Sequence, residues 1–203
     1  MAKPKHEPVG GSRQALIVED DTLVGLGLKT NLEALGFNVM GQASDAQQAV
    51  QLFRAHRPDL VLMDIQLNDT DGIELAAQLL QQRRCAIVII SAYSDETLIA
   101  RAAAAGVFGY LIKPVSRQSL SAQIEVAMQR WQEQEQLLQD KQQLAQTLET
   151  RKLMDRAKGI LMKKLNLDEP AAHKWLQLES QKRRISLAEI AKRVIDSEKS
   201  PDA

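Results

Sequence analysis

The most constraining feature of this 203-residue sequence is a pattern that occurs five times: a short apolar run, then a segment with helical spacing of apolar residues. The apolar runs are residues 15–18, 37–43, 60–63, 86–90 and 107–112. Short runs that are apolar on both faces and separated by helices are typical of parallel strands covered by helices on both sides. The pattern therefore predicts a five-stranded parallel, doubly wound α/β domain.

Polar residues follow the predicted strands where each strand ends. Asp20 and Asp21 follow the first strand, Asp64 follows the third, Ser91 the fourth and Lys113 the fifth. In a doubly wound sheet the binding crevice lies at the carboxyl ends of the strands. We therefore expect these side chains to meet at one rim of the sheet.

Carboxylates at one rim indicate a cation site. Their joint ionisation is costly unless a hard cation binds them, and oxygen ligands without His select Mg²⁺ or Mn²⁺. Asp64 is best placed to attack phosphorus and form an acyl phosphate, because Lys113 and the metal can neutralise the phosphoryl oxygens. Ser91 can bond one of those oxygens. The rim therefore predicts a phosphoryl-transfer site that needs Mg²⁺.

These residues give the chain a close resemblance to the receiver domain of two-component response regulators, over residues 14–128. The resemblance implies a flavodoxin-like fold and transfer of a phosphoryl group to Asp64 from a sensor histidine kinase. It implies that Asp20 and Asp21, with Asp64, bind the metal, that Ser91 and Tyr110 form the switch, and that a cis peptide joins Lys113 to Pro114. The chain departs from many receivers at residues 66–68, where Gln-Leu-Asn replaces a Met-Pro motif.

The sequence after residue 116 is helical throughout. Residues 129–146 contain eight Gln and neither Gly nor Pro, which predicts one long helix. Apolar residues at a spacing of seven, at 124, 131, 138 and 145 and again at 137 and 144, favour a dimeric coiled coil. Gln134 and Lys141 interrupt this seam, so a low-complexity linker helix is the alternative. Three further helical segments follow, at residues 151–165, 171–182 and 187–195.

The charge distribution separates the two halves of the chain, although the whole is neutral. Residues 1–146 carry 13 Lys and Arg against 17 Asp and Glu, a net charge of −4, whereas residues 147–203 carry 13 against 9, a net charge of +4. A basic tail suggests a nucleic-acid partner or simply a solvated helical face. Gly159 lies in mid-helix, where glycine costs roughly 1 kcal/mol relative to Ala. We therefore expect another helix or a nucleic-acid backbone to approach it closely.

The tail contains the runs Thr150-Arg151-Lys152 and Ala157-Lys158-Gly159-Ile160-Leu161-Met162, then Ala171-Ala172 before Trp175, and Ile190-Ala191. On these motifs residues 148–198 resemble the ANTAR family of RNA-binding transcription antiterminators. The resemblance implies binding to hairpins in nascent RNA leaders. The candidate phosphate contacts are the cationic residues Arg156, Lys158, Lys163, Lys164, Arg183 and Arg184.

Composition excludes several classes of protein. No apolar run approaches the roughly 20 residues of a membrane helix. Cys85 is the single cysteine, so neither an intramolecular disulfide nor a cysteine-based zinc site is expected. The first thirteen residues lack the apolar core of a secretory signal, which favours a cytoplasmic protein.

The predicted organisation is a flexible tail (1–13), a receiver domain (14–128), a coiled-coil linker helix (129–147), a small three-helix ANTAR-like domain (148–198) and a second tail (199–203). The function predicted is a phosphorylation-controlled antiterminator that forms a homodimer when phosphorylated. It is not expected to be an enzyme beyond self-phosphorylation and self-dephosphorylation. The alternatives are a tail that dimerises or docks on a protein partner, and a tail that binds DNA through residues 185–194.

Overall fold

A computed structural model describes residues 13–68 and 70–199. The tails predicted at 1–13 and 199–203 lie outside the described residues, except for Arg13 and Lys199. The chain divides into two compact units, residues 1–134 and 135–203. None of the helices in the described ranges is both long and apolar enough to cross a membrane.

The first unit is built on a parallel sheet of five strands: β1 (Gln14–Val18), β2 (Asn38–Ala43), β3 (Leu60–Asp64), β6 (Ala86–Ser91) and β7 (Gly109–Ile112). The strands lie in the order β2-β1-β3-β6-β7. This arrangement confirms the predicted five-stranded, doubly wound fold. Between β3 and β6 the structure adds two antiparallel strands of two residues, β4 (Gln66–Leu67) and β5 (Thr70–Asp71), where the sequence indicates only a loop.

Helices cover both faces of this sheet because successive strand residues point to opposite sides. Leu16 and Val18 of β1 belong to one apolar core, whereas Ala15 and Ile17 belong to the other. The covering helices are α1 (Thr22–Ala34), α2 (Ala46–His56), α3 (Gly72–Gln82), α4 (Glu96–Ala104) and the first part of α5 (Arg117–Leu165). The first four each begin at an aspartate N-cap, namely Asp21, Asp45, Asp71 and Asp95.

Three helical segments form the second unit: the last part of α5, α6 (Glu169–Arg183) and α7 (Leu187–Lys199). They bury a separate apolar core that includes Ala157, Leu176 and Ile190, and the half-buried Trp175 packs against it. This confirms a small three-helix arrangement after a long helix. Within the described part of the chain, nothing lies within 4 Å of the position that a Cβ on Gly159 would take. No described helix of this chain therefore makes the close approach expected there.

Candidate functional site

The carboxyl ends of four strands bring the predicted phosphoryl-transfer residues into one open cleft. Asp20 follows β1, Asp64 ends β3, Ser91 ends β6 and Lys113 follows β7, and all four line the cleft. Asp64 and Ser91 are buried, whereas Asp20 is exposed. These four side chains therefore lie at one rim of the sheet, as their positions at the strand ends predicted.

Lys113 joins two of the carboxylates in this cleft. Its Nζ donates to Asp64 Oδ2 at 2.6 Å and to Glu19 Oε2 at 2.9 Å. Partial burial would by itself lower the pKa of Lys113, but the hydrogen bonds to Asp64 and Glu19 outweigh burial, and its pKa is raised. The amine is therefore a permanent cation beside Asp64.

The acidic cluster differs from the predicted one in a single member. Carboxylate oxygens of Glu19, Asp20 and Asp64 all lie within 4.8 Å of one another. Asp21 lines the cleft, but its carboxylate accepts hydrogen bonds from Leu23 N and Val24 N and so caps α1. In the structure Glu19 lies where Asp21 was expected in the cluster, because the helix end holds the Asp21 side chain. The oxygen-only donor set fits a hard divalent cation such as Mg²⁺.

Ser91 and Tyr110, the predicted switch residues, share a partner that the sequence did not reveal. Ser91 Oγ accepts from the backbone N–H of Tyr93 at 3.0 Å, and the Tyr110 hydroxyl donates to the Tyr93 carbonyl at 2.8 Å. Ser91 is buried, Tyr110 is half-buried and Tyr93 is exposed. Movement of either predicted switch residue would disturb the same short segment between β6 and α4.

Asp71 links the cleft to α4, and sequence reasoning missed this link. Its Oδ1 caps α3, whereas its Oδ2 accepts from Arg101 of α4 at 2.6 Å. Although partial burial would raise the pKa of Asp71, the hydrogen bond from Arg101 and the capping N–H groups lower it. Asp71 could have been suspected from its capping position, but nothing in the sequence connects it with Arg101.

Gly72 keeps the neighbouring loop against Asp64. Its N–H donates to Ile65 O, and a Cβ at this position would lie 1.9 Å from the Asp64 carbonyl oxygen. Only glycine permits this contact, because backbone cannot give way as a flexible side chain can. The glycine therefore helps to hold the end of β3 in place.

The predicted cations of the tail fall into two groups. Arg156, Lys163, Lys164 and Arg184 are exposed. Lys158 is only 16% exposed, and its Nζ lies 2.7 Å from Glu169 and 3.0 Å from Asp155. Arg183 forms an ion pair with Glu179. Lys158 is thus a link between α5 and α6 rather than the exposed cation expected from the sequence.

The comparisons with known proteins agree with this architecture. The family model described as the response regulator receiver domain matches residues 15–125, and the model described as the ANTAR domain matches residues 142–195. The transcriptional regulatory protein PdtaR of Mycobacterium tuberculosis is 39% identical over 189 residues, which cover 93% of this chain and 92% of that protein. This chain is a response regulator with a receiver domain and an ANTAR domain.

Solved structures similar to this response regulator include receiver domains. The signal receiver domain of a modulated diguanylate cyclase from Desulfovibrio desulfuricans is 36% identical, with a TM-score of 0.55. The match covers 60% of this chain and 97% of that domain's chain. A CheY-like receiver domain protein from Methanospirillum hungatei is 26% identical, with a TM-score of 0.57. The match covers 61% of this chain and 99% of that chain. The peptide bond between Lys113 and Pro114 is cis, as the family resemblance implied.

Burial of Glu19 in this response regulator predicts a pH-dependent stability. Burial raises the pKa of Glu19, the Lys113 hydrogen bond works against that rise, and Asp64 adds to it. The native state therefore keeps this proton to higher pH than the unfolded chain, so the contribution of Glu19 to the free energy of unfolding falls as pH rises above the ordinary value of 4.5. With a chelator present, we expect Glu19→Gln to melt at a higher temperature than the wild type, by a margin that grows above that pH.

Calorimetry at several pH values measures this difference in melting temperature. The control is Glu33→Gln, which removes an exposed carboxylate of α1. The Lys113 bond to Asp64 remains in the Glu19→Gln variant. A margin that shrinks as the pH rises would contradict the prediction.

Proposed function

We propose that this response regulator accepts a phosphoryl group on Asp64 from a sensor histidine kinase and then binds hairpins in nascent RNA, which prevents transcription termination. The observation that carries the proposal is the position of Asp64, 2.6 Å from Lys113 within a three-carboxylate cluster, in a chain that also contains an ANTAR domain. Such a regulator would act in the cytoplasm, where RNA is transcribed.

The phosphoryl transfer follows from the geometry of the cleft. An oxygen of Asp64 attacks phosphorus, the phosphorus–nitrogen bond to the kinase histidine breaks, and the imidazole keeps the electron pair. Lys113 Nζ moves from the carboxylates toward the new phosphoryl oxygens and neutralises them. A Mg²⁺ ion held by Glu19, Asp20 and Asp64 would supply further positive charge to those oxygens.

The switch follows from the contacts of Ser91 and Tyr110. A phosphoryl oxygen offers the Ser91 hydroxyl a charged acceptor, so Ser91 turns toward it and gives up the N–H of Tyr93. Tyr110 then loses its bond to the displaced Tyr93 carbonyl and moves inward. The surface of α4 and β7 changes as a result.

The RNA contact is proposed for the basic tail, where Arg156, Lys163, Lys164 and Arg184 are exposed. Arg183 and Lys158 contribute only if they leave their acidic partners. The proposal is tested by retention of labelled leader RNA, with duplex DNA of equal length as the competitor. Retention of RNA alone is expected, whereas preference for the duplex would favour the DNA-binding alternative.

Charge reversal tests whether the exposed lysines of the tail form the RNA-binding surface. Each phosphate contact contributes about 0.7 to 0.9 to the slope of log affinity against log salt concentration. Lys163→Glu with Lys164→Glu should therefore weaken RNA binding and flatten the slope by about one to two. The same charge reversal at Lys29 and Arg54, exposed residues of the receiver, should change neither the RNA affinity nor the slope. If the tail variant keeps the wild-type slope, these lysines do not contact RNA.

A protein-docking tail remains the second candidate, because α5 exposes leucines. Leu137 and Leu144 are 68% and 72% exposed, and Leu148 is 54% exposed. We propose that a second copy of the chain covers this row when Asp64 is phosphorylated. Dimerisation brings two RNA-binding units together, so it is compatible with the antiterminator function.

A further inference from the structure

A small cavity lies between α6 and α7 of the ANTAR domain, and of the candidate RNA contacts considered above only Arg183 lines it. Its volume is about 180 Å³. Its walls include Trp175, Glu179 and Arg183 from α6, and Ile190, Arg193 and Ser197 from α7. An aromatic ring, a carboxylate and two guanidinium groups thus meet in a space with room for one planar ring system.

The aromatic wall is held in place by the core. Trp175 is half-buried and packs against the apolar cluster that contains Leu176 and Ile190. A ring that is already ordered loses little conformational freedom when a second ring stacks on it. Trp175 therefore combines a structural contact on one side with an open cavity on the other.

The polar walls carry both signs of charge. Glu179 is only 17% exposed and accepts a hydrogen bond from Arg183, which lowers the pKa of the glutamate. Arg193 is about half exposed and lies 3.5 Å from Glu189, one turn earlier on α7. The cavity thus offers an ionised acceptor inside and two exposed guanidinium groups at its edge.

We propose that this cavity binds one unpaired base of an RNA hairpin loop. The base stacks on Trp175 and its exocyclic amine donates to Glu179. Arg193 contacts one flanking phosphate, and Arg183 leaves Glu179 to contact the other. This inference rests on the proposed RNA-binding function and deepens it by assigning a base-reading site.

The chemistry of the walls favours some bases. Adenine, cytosine and guanine each carry an exocyclic amine that can donate to a carboxylate. Uracil has only a ring N–H that lies between two carbonyl oxygens, and these oxygens repel a carboxylate. The loop position that enters the cavity should therefore exclude uracil. Stacking alone would accept every base, since each has a π-face.

Loop selection tests the site. A pool of hairpins with one fixed stem and a randomised loop is bound to the full-length protein, treated with acetyl phosphate and Mg²⁺, and the retained RNA is sequenced. Wild-type protein should deplete uracil at one loop position, and Glu179→Gln should lose that depletion. Lys192→Gln, an exposed residue of α7 that does not line the cavity, should keep it.

Tryptophan emission gives a second readout on the selected hairpin. Trp131 and Trp175 are the only tryptophans, so Trp131→Phe leaves Trp175 as the reporter. The selected hairpin should quench this emission, whereas the same stem without a loop should not. In the same background, Trp175→Leu, which keeps an apolar side chain against the core but removes the aromatic face, should weaken hairpin binding about fivefold or more.

The results of these experiments distinguish base binding in the cavity from RNA binding by the protein. If wild-type protein retains no hairpin, the proposed RNA function fails and this inference fails with it. If hairpins are retained without depletion of uracil and without quenching of Trp175, the cavity does not bind a base, although the RNA function stands.

Discussion

Replacement of Asp64 by Asn is expected to abolish phosphorylation of this response regulator. The amide cannot form an acyl phosphate, and the nearby acidic groups do not replace it. Glu19 is buried against Lys113, and Asp21 is held at the N-terminus of α1. Labelling with radioactive acetyl phosphate in Mg²⁺ measures the effect, and we expect a loss of all covalent label.

Asp45→Asn is the matched control for this variant. Asp45 caps α2, and asparagine is an equally good capping residue, so the same chemical change occurs in a stable fold outside the cleft. The control should label like the wild type. Undiminished label on the Asp64→Asn protein would show that another residue accepts the phosphoryl group.

Disruption of the exposed leucine row is expected to remove the phosphorylation-dependent dimer. Leu137 and Leu144 lie seven residues apart on α5 and share one face of the helix. Glutamates at both positions would place like charges in the proposed dimer contact. We expect the phosphorylated double variant to sediment as a monomer and its RNA affinity to fall by about 100-fold, because two linked sites gain that much through effective concentration.

The control for the leucine row is Gln136→Glu with Gln143→Glu. These residues have the same seven-residue spacing and are also exposed, but each lies one position away from a leucine of the row. The control should retain most of the dimer. If phosphorylated wild-type protein is monomeric and still gains a large RNA affinity, phosphorylation acts by releasing an occluded tail instead.

The elements of the receiver could be predicted because their sequence pattern has few structural solutions. Residues 60–63 are predicted as a strand and β3 is Leu60–Asp64, and residues 46–56 are predicted as a helix and α2 is Ala46–His56. Strands buried on both faces need apolar residues at every position, so the pattern is local and strong. The helical connections between successive strands then follow, since parallel strands need crossovers.

The acidic cluster shows where this reasoning stops. Glu19, Asp20 and Asp21 are consecutive carboxylates, and their chemical type does not say which of them join Asp64 in one cluster. The fold decides, because Asp21 satisfies backbone N–H groups of α1 while Glu19 reaches Lys113, 94 residues away in sequence. Of the two aspartates predicted to bind the metal, Asp20 lies in the cluster with Asp64 and Asp21 does not.

Sequence alone determined the fold class, the rim that carries the predicted phosphoryl-transfer residues and the order of the two domains. The first two depend on local periodicity and on residue type at strand ends, and the third depends on the motifs of each family. Tertiary structure alone decided which charges are paired. Lys158 meets Glu169 across two helices, Arg101 meets Asp71 across two elements, and Trp175 leaves one side open to a cavity. Such contacts depend on distances between residues that are remote in sequence, and no local pattern contains those distances.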